Sequence, residues 1–300
     1  MKAAVLVTFN PDPNELERTC EALGAQVDHL CVVDNGSSID IDPVVALYCG
    51  SVIKLSTNLG IAAAQNKGLR AVIEEGAEFI VLSDQDSVMP PGAIDSLIEI
   101  VNSDPLCAAA VPMFRDDKLS APSGFILSDS LFFTPSRQTA GQHDLLQAIA
   151  SGMVINAKCL SEVGLMDEAL FIDWVDIEWC WRARARGFRI LGSADVVMTH
   201  NLGDMARNLG YRHATLRAPQ RHYYITRNAF YLALYSQNLS FIRRLVLVLR
   251  SLRYVIAFPI LGSPTLANLK AVVIGVLHAT LGRVGRYDLQ TSRPTSKIRQ

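Results

Sequence analysis

Two aspartates one residue apart, in Asp84-Gln85-Asp86, follow directly on the apolar run Phe79-Ile80-Val81-Leu82-Ser83. Carboxylates held that close repel one another unless a proton or a hard divalent cation relieves them, and a cation so held can bind phosphate. The alternative is a surface turn whose aspartate caps a helix starting near Pro91. The spacing alone does not decide between them. A second group of acids, Asp173, Asp176 and Glu178, shares one short segment with all three tryptophans, Trp174, Trp179 and Trp181. A helix beginning near Asp173 puts positions 173 and 176 on one face of its first turn, where the helix field favours ionised carboxylates. Helix capping, or pairing with Arg182 or Arg184, is the structural alternative. His200 ends the run 196–199 and is either a ligand or a structural hydrogen-bonder. Arg227, in the cationic and aromatic stretch 221–228, can grip phosphate or merely solvate a helix.

These groups need a scaffold that gathers them, and the first hundred residues read as strands alternating with helices. Residues 3–9, 29–33, 52–55 and 79–82 are short apolar runs of the kind buried on both faces of a parallel sheet. Helices are predicted over 14–22, with Asn14 as cap, and over 61–75. Strands separated by helix-length intervals argue a doubly wound α/β sheet with right-handed crossovers. Polar residues recur at each strand's carboxyl end: Thr8 and Asn10, Asp34 and Asn35, Ser56 and Asn58, Asp84 and Asp86. Ligands of open α/β sheets bind at that edge. Neither GxGxxG after the first strand nor GxxxxGK[ST] is present, so a nucleotide here would be held through a carboxylate-bound metal. Farther on, 107–134 reads as short β-like runs and 142–150 as helical. Ser151-Gly152 precedes another strand and lets a ligand or backbone come close.

The 300 residues are 50% hydrophobic with a formal charge of −1, enough for one large core and an appendage. Past Asn238 ten basic side chains face Asp288 alone, so an acidic body carries a basic, apolar tail. That asymmetry points to anionic lipid and away from nucleic acid, for which there is no motif or aromatic–basic interleaving. The tail predicts one helix over 241–258, with Arg243, Arg250 and Arg253 in one arc and Arg244 at its margin, and a second apolar segment over 266–281. Each falls short of the roughly 20 apolar residues a membrane span requires, and prolines separate them. Interfacial helices on a membrane surface are expected, with packing on the catalytic body or a homo-oligomer interface as the alternative. The expected division is therefore 1–237 and 238–300. Six scattered cysteines without a CxxC pair fit core positions in a reducing cytosol. The N-terminal run is too short for a signal peptide. The expected location is cytoplasmic, peripheral on the inner face of the cell membrane.

VTFNP, VVDNGSS, NLGIAAAQNKGL, LSDQDS, SGMVI, GLMDEALFIDWVDIEWCWRA, the strand-end His200 and RHYYITRN, in this order and spacing, resemble the inverting family 2 glycosyltransferases of the GT-A fold. Within them the chain is similar to bacterial rhamnosyltransferases, over about residues 3–235. The resemblance implies a Rossmann-like, mostly parallel sheet flanked by helices, with a C-terminal helical extension. It implies Mg²⁺ or Mn²⁺ bound by Asp84, Asp86 and His200, and a nucleotide-sugar donor, dTDP-L-rhamnose, on Thr8, Asn10, Asp34, Asn58, Asp84 and Arg227. The general base is Asp176, with Asp173 and Glu178 as neighbours confusable with it. Many relatives read Glu-Asp where this chain has Val175-Asp176. The acceptor would be a hydroxyl of a glycan or lipid-linked molecule in cell-surface polysaccharide or glycolipid synthesis. Two rivals differ in class. Asp84-Gln85-Asp86-Ser87-Val88 also fits the DxDx[TV] of aspartyl-phosphate phosphotransferases, whose first aspartate is a nucleophile, although three strands precede it here. A membrane-bound scaffold without turnover would keep the fold but has no need of the intact acid set.

Overall fold

A computed structural model describes residues 1–300 except 49, 116–123, 137, 139, 201–205, 209–212, 216–217, 290–292 and 295–300; for 199–200, 206–208, 213–215 and 293–294 only the backbone is described. Two compact units form, one of Met1–Asp167 with Asp176–Asn201, the other of Glu168–Val175 with Leu202–Gln300. The division expected at 237/238 instead falls near residue 201.

In the first unit the elements in order are β1 (Lys2–Thr8), α1 (Pro13–Gly24), β2 (His29–Asp34), α2 (Asp42–Val45), β3 (Ser51–Lys54), α3 (Ile61–Glu74), β4 (Phe79–Asp84), β5 (Ser87–Val88), α4 (Ala93–Ser103), β6 (Cys107–Arg115), β7 (Ile126–Leu127), β8 (Gln142–Gln147), β9 (Met153–Asn156), α5 (Ala157–Val163), α6 (Val175–Ala185, whose first residue belongs to the second unit) and β10 (Arg189–His200). The sheet order is β3-β2-β1-β4-β9-β6-β10-β8-β7, with β5 paired to β10. The first four strands are parallel and β6 runs parallel to β10, while β9 inserts antiparallel between β4 and β6. The order reverses between β1 and β4, and such a switch point opens a crevice at the strands' carboxyl ends.

The core explains why these segments take these forms. α1 starts at Pro13 with Asp12 Oδ1 accepting from the N–H groups of Asn14 and Glu15, so Asp12 rather than Asn14 is its cap. Its Leu16, Cys20 and Leu23 bury against Ala4, Leu6 and Val32. α3 lies close on β1 and β2 through Gly68, where a Cβ would stand 2.4 Å from Val5 Cγ1. Of the stretch 142–150, expected as helix, residues 142–147 are the strand β8, because Gln142 to Leu145 pair with Ser193 to Ile190 of β10; local propensity yields to a ladder partner distant in sequence. The cysteines that are described, Cys20, Cys31, Cys107, Cys159 and Cys180, are all free and buried; burial pushes the Cys20 thiol up to about 11.

The second unit contains β11 (Ala206–Asn208) paired with β12 (His213–Thr215), then α7 (Pro219–Tyr235), α8 (Phe241–Leu261), α9 (Thr265–Thr280), and β13 (Tyr287–Asp288) paired with β14 (Arg293–Pro294). α7 packs against both α8 and α9, which is why the unit begins well before residue 238. The contact with α9 is tight at Gly275, whose missing Cβ would stand 3.0 Å from the Tyr223 carbonyl oxygen. The aromatic stretch of α7 is core: His222 stacks on Phe258 and shares a 2.6 Å hydrogen bond with Asn268, and Tyr223 meets His278 at 2.9 Å. α8 continues two residues past Pro259, which the sequence suggested as its end. No described helix is long and apolar enough to cross a membrane.

Candidate active site

Three neighbouring strands line up the first group of polar residues. Thr8 of β1 pairs with Asp34 of β2, and Val7 of β1 pairs with Asp84 of β4. At a strand spacing near 4.8 Å, about 10 Å separates the backbones of Asp34 and Asp84. Asp34 is buried, with Oδ1 accepting from both the N–H (3.0 Å) and the hydroxyl (2.5 Å) of Ser37. Ser37 Oγ in turn accepts from the Asn10 N–H, and Asn10 Oδ1 accepts from the N–H and hydroxyl of Ser38. Asn10 sits at φ 45°, a conformation asparagine tolerates better than most residues, and it ties the loops after β1 and β2 together. Asn35 and Asn58 link β2 to the start of α3: Asn35 Nδ2 donates to Asn58 Oδ1, which also accepts from the Gly60 N–H, and Asn35 Oδ1 accepts from the Leu59 N–H.

Asp84 ends β4, and Gln85-Asp86 form the turn into β5. Gln85 is built in from both sides: its Oε1 accepts from the Phe9 N–H at 2.8 Å and its carbonyl from the Thr19 hydroxyl at 3.2 Å. Sequence reading passed over this residue, yet it anchors the turn carrying both aspartates. The capping alternative does not apply, since α4 has Gly92 at its N-cap and no side-chain cap bond. β5 pairs antiparallel with β10 so that His200 lies opposite Ser87, the residue after Asp86. Topology thereby brings the backbones of the two aspartates and the histidine to one corner. The His200 side chain is outside the described residues, among which no group of three acids, histidines or cysteines is placed to hold a metal. The donor chemistry, two partly exposed carboxylates beside a histidine position, fits a hard divalent cation.

Asp176 stands in the first turn of α6. Its Oδ2 accepts from the Ala150 N–H at 2.9 Å and its Oδ1 from its neighbour Ile177 at 2.8 Å. It keeps part of its surface open, while the protein around it withdraws the carboxyl from bulk water and pushes its pKa up to about 6; the charge of Asp84 adds to that rise and the two N–H donors oppose it. Ala150 and Ser151 form the bridge between the acids, because the Ser151 hydroxyl accepts from the Asp84 N–H at 3.4 Å. The small pair Ser151-Gly152 was the sequence signal for it: Gly152 adopts φ 72°, and a Cβ there would press on Pro112 and two methionine sulfurs.

The other members of the acid cluster have separate roles. α6 begins at Val175, so Asp173 and Asp176 do not share a helix face as expected; Asp173 lies in the preceding turn, paired with Arg221 at 3.2 Å. Glu178 is buried in a bidentate pair with Arg182, at 2.7 and 2.9 Å. Trp179 and Trp181 are core residues. Arg227 requires correction as a donor ligand. It is completely buried, its guanidinium donates to the carbonyls of Leu170 and Gly285, and it stacks over Tyr223 and Tyr224. Thr8 likewise has no exposed surface, and its hydroxyl has no hydrogen-bond partner among the described residues.

Residues 3–163 match the family described as glycosyl transferase family 2. Over 233 residues the chain is 34% identical to the dTDP-rhamnosyl transferase RfbF of Shigella flexneri, an alignment covering 76% of this chain and 78% of that protein. The chain belongs to glycosyl transferase family 2. The fold of this glycosyltransferase is GT-A: it superposes on residues 1–349 of TarS from Staphylococcus aureus with a TM-score of 0.60 at 14% identity, covering 93% of this chain and 80% of that one. It also superposes on the mannosyltransferase PcManGT of Pyrobaculum calidifontis, solved with GDP-Man and Mn²⁺, with a TM-score of 0.57 at 14% identity, covering 97% and 77%. The aspartyl-phosphate reading of Asp84 falls with this assignment.

Proposed function

We propose that this glycosyltransferase moves L-rhamnose from dTDP-L-rhamnose to a hydroxyl of a glycan or lipid-linked acceptor, with inversion at the anomeric carbon. The observation that carries the chemistry is Asp176, a carboxyl with its pKa pushed up to about 6, fixed by two N–H donors and close enough to Asp84 to sense its charge. Proton transfer is most effective from a group whose pKa lies near the working pH. The donor reading rests on the likeness to the rhamnosyl transferase RfbF. Asp34 and Asn58 would face the nucleoside end, with Asn10 shaping the loop between them, and Asp84 the diphosphate. Asp84, Asp86 and His200 would hold Mg²⁺ or Mn²⁺, which when bound supplies a Lewis acid for the leaving diphosphate. Asp176 takes the acceptor hydroxyl's proton as that oxygen attacks, so no covalent glycosyl-enzyme forms. Purified protein should release dTDP from dTDP-L-rhamnose in Mn²⁺ or Mg²⁺ and lose this activity in EDTA, with little release from UDP-GlcNAc or GDP-mannose. Faster turnover of either comparison donor would overturn the donor assignment, and undiminished activity in EDTA the cation.

We infer further that the second unit attaches the enzyme to anionic membranes. α8 exposes Ile242, Leu245, Leu249, Leu252, Ile256 and Ile260, and α9 exposes Leu266, Leu269, Val273 and Leu277, at steps of three or four that line up along one face of each helix. Ile256 is 63% and Leu266 80% exposed, in contiguous stripes of a kind that mark interaction surfaces. Arg253 is exposed and Arg243 and Arg250 partly so, which suits anionic headgroups. Arg244 is turned to other work, donating to the Ala233 and Leu234 carbonyls. Deleting the tail would strip α7 of its partners, so substitution is the cleaner probe. Leu249→Glu with Ile256→Glu should leave the melting temperature unchanged and cut binding to phosphatidylglycerol vesicles about tenfold or more. A wild-type protein that never floats with such vesicles sinks the reading, and dimerisation lost in the variant would give the face to a second copy.

A further inference from the structure

Among the described residues, the segment just before Asp176 gathers three of the five non-glycine residues at positive φ. Phe171, Asp173 and Trp174 all lie in the left-handed region, at φ 67°, 61° and 69°, where side chains with a Cβ are held only if their surroundings over-determine them. One face of α7 supplies that hold. Asn228 Nδ2 donates to three carbonyls of the turn, Leu170 at 3.0 Å, Ile172 at 2.8 Å and Asp173 at 2.9 Å. Arg227 Nη2 donates to the Leu170 carbonyl at 2.9 Å. Arg221 pairs with the Asp173 carboxylate, and the Trp174 indole N–H donates to the Ile225 carbonyl at 3.1 Å. The Phe171 ring stacks on Tyr224 at 4.9 Å. Asn228 and Arg227 have no exposed surface at all, so neither can meet a ligand. The Asn228 amide nitrogen and Arg227 Nη2 are aimed instead at the backbone of one turn, and Arg227 Nη1 donates to the Gly285 carbonyl. That turn ends at Trp174, α6 begins at Val175, and Asp176 follows.

We propose that Asn228 and Arg227 are positioning residues for glycosyl transfer: they lock the left-handed turn 171–174 and so fix where α6 starts and how Asp176 is presented. A turn relaxed out of the left-handed region would begin the helix elsewhere and rotate the carboxyl away from its place beside Ala150. A side-chain amide suits this task, since its two hydrogens can be shared among three converging carbonyls while a carboxylate at the same place would repel all of them.

The inference rests on Asp176 being the base, and a double-mutant cycle separates the two. With dTDP-L-rhamnose and Mn²⁺, Asn228→Ala should lower kcat about 30-fold or more while the donor KM stays within threefold. Asn228→Ser, which keeps one donor, should recover part of the loss. If Asn228 acts through Asp176, Asp176→Asn with Asn228→Ala will be no slower than Asp176→Asn alone. Amide hydrogen exchange should quicken across 168–177 in Asn228→Ala and stay unchanged in β1 and β4. Additive losses in the cycle, a raised donor KM that accounts for the whole effect, or kcat within threefold of wild type would each overturn the proposal. Asp176→Asn with wild-type turnover would sink the base assignment instead. Should Asn228→Ala fail to fold, Arg221→Gln, which removes the ion pair to Asp173, replaces it under the same cycle with an expected loss of about fivefold.

Discussion

Asp86→Asn should reduce sugar transfer by about 10³-fold or more while leaving the fold intact. Asp86 lies in the turn after β4 and its carboxylate does not cap α4. The turn itself is secured by Gln85, through Phe9 and Thr19, so among the described residues neutralising Asp86 removes a charge and not a structural bond. What it would withdraw is one carboxylate from the proposed cation, and with it several kcal/mol of stabilisation of the leaving diphosphate. Asp84→Asn should be as damaging to turnover and should also relieve the charge that helps to raise the pKa of Asp176. Initial rates over a Mn²⁺ titration, with circular dichroism to check folding, measure the effect; wild-type turnover in either folded variant would disprove the metal assignment.

Asp176→Asn should lower kcat by about 10²–10⁴-fold, as loss of a general base does, with the donor KM nearly unchanged because the base acts on the acceptor. Activity in the wild type follows the ionised carboxyl, so kcat should fall as the pH drops through about 6; a cation beside Asp84 moves that limb lower because it favours the carboxylate. Stability should move the opposite way. The folded protein holds the Asp176 proton from its usual pKa of 3.8 up to about 6, above the unfolded chain. Its contribution is therefore best at low pH and is lost as the pH rises through that window. At pH 7.5 the asparagine variant should be more stable than wild type by up to about 3 kcal/mol, an upper bound because Asp176 is partly exposed. The gain should vanish below about pH 4. Denaturant melts at pH 4 and 7.5 check it, and an asparagine variant less stable at pH 7.5 would contradict the buried-carboxyl account. Asp173→Asn, by contrast, weakens the pair with Arg221 and should cost transfer far less; a larger loss there would move the base one turn back.

Order and periodicity in the chain were enough for the parallel strands β1, β2 and β4, because an apolar run bounded by polar turns has few ways to be buried other than in the middle of a sheet; β3 pairs in parallel as expected, but it is the sheet's edge and none of its residues is buried. They were enough also for the polar edge, since a strand ending at Asp34 or Asp84 must leave that residue at its mouth. The order of motifs carried the family, and the excess of arginine and leucine past Asn238 foretold helices with an unburied apolar face. Tertiary structure alone decided what depends on partners far away in sequence. Residues 142–147 became a strand because β10 offered a ladder some 50 residues on. The acids 173, 176 and 178 look alike in a row, yet the backbone turns left-handed before Val175 and sends each to a different neighbour: Arg221, the Ala150 N–H, Arg182. Arg227 carries a charge that suggests phosphate, but the carbonyls of the 170–173 turn and of Gly285, all in the second unit, close around it and its neighbour Asn228. Local sequence sets what a side chain can do, and the burial and hydrogen-bond partners that select among those options are set only once distant segments meet.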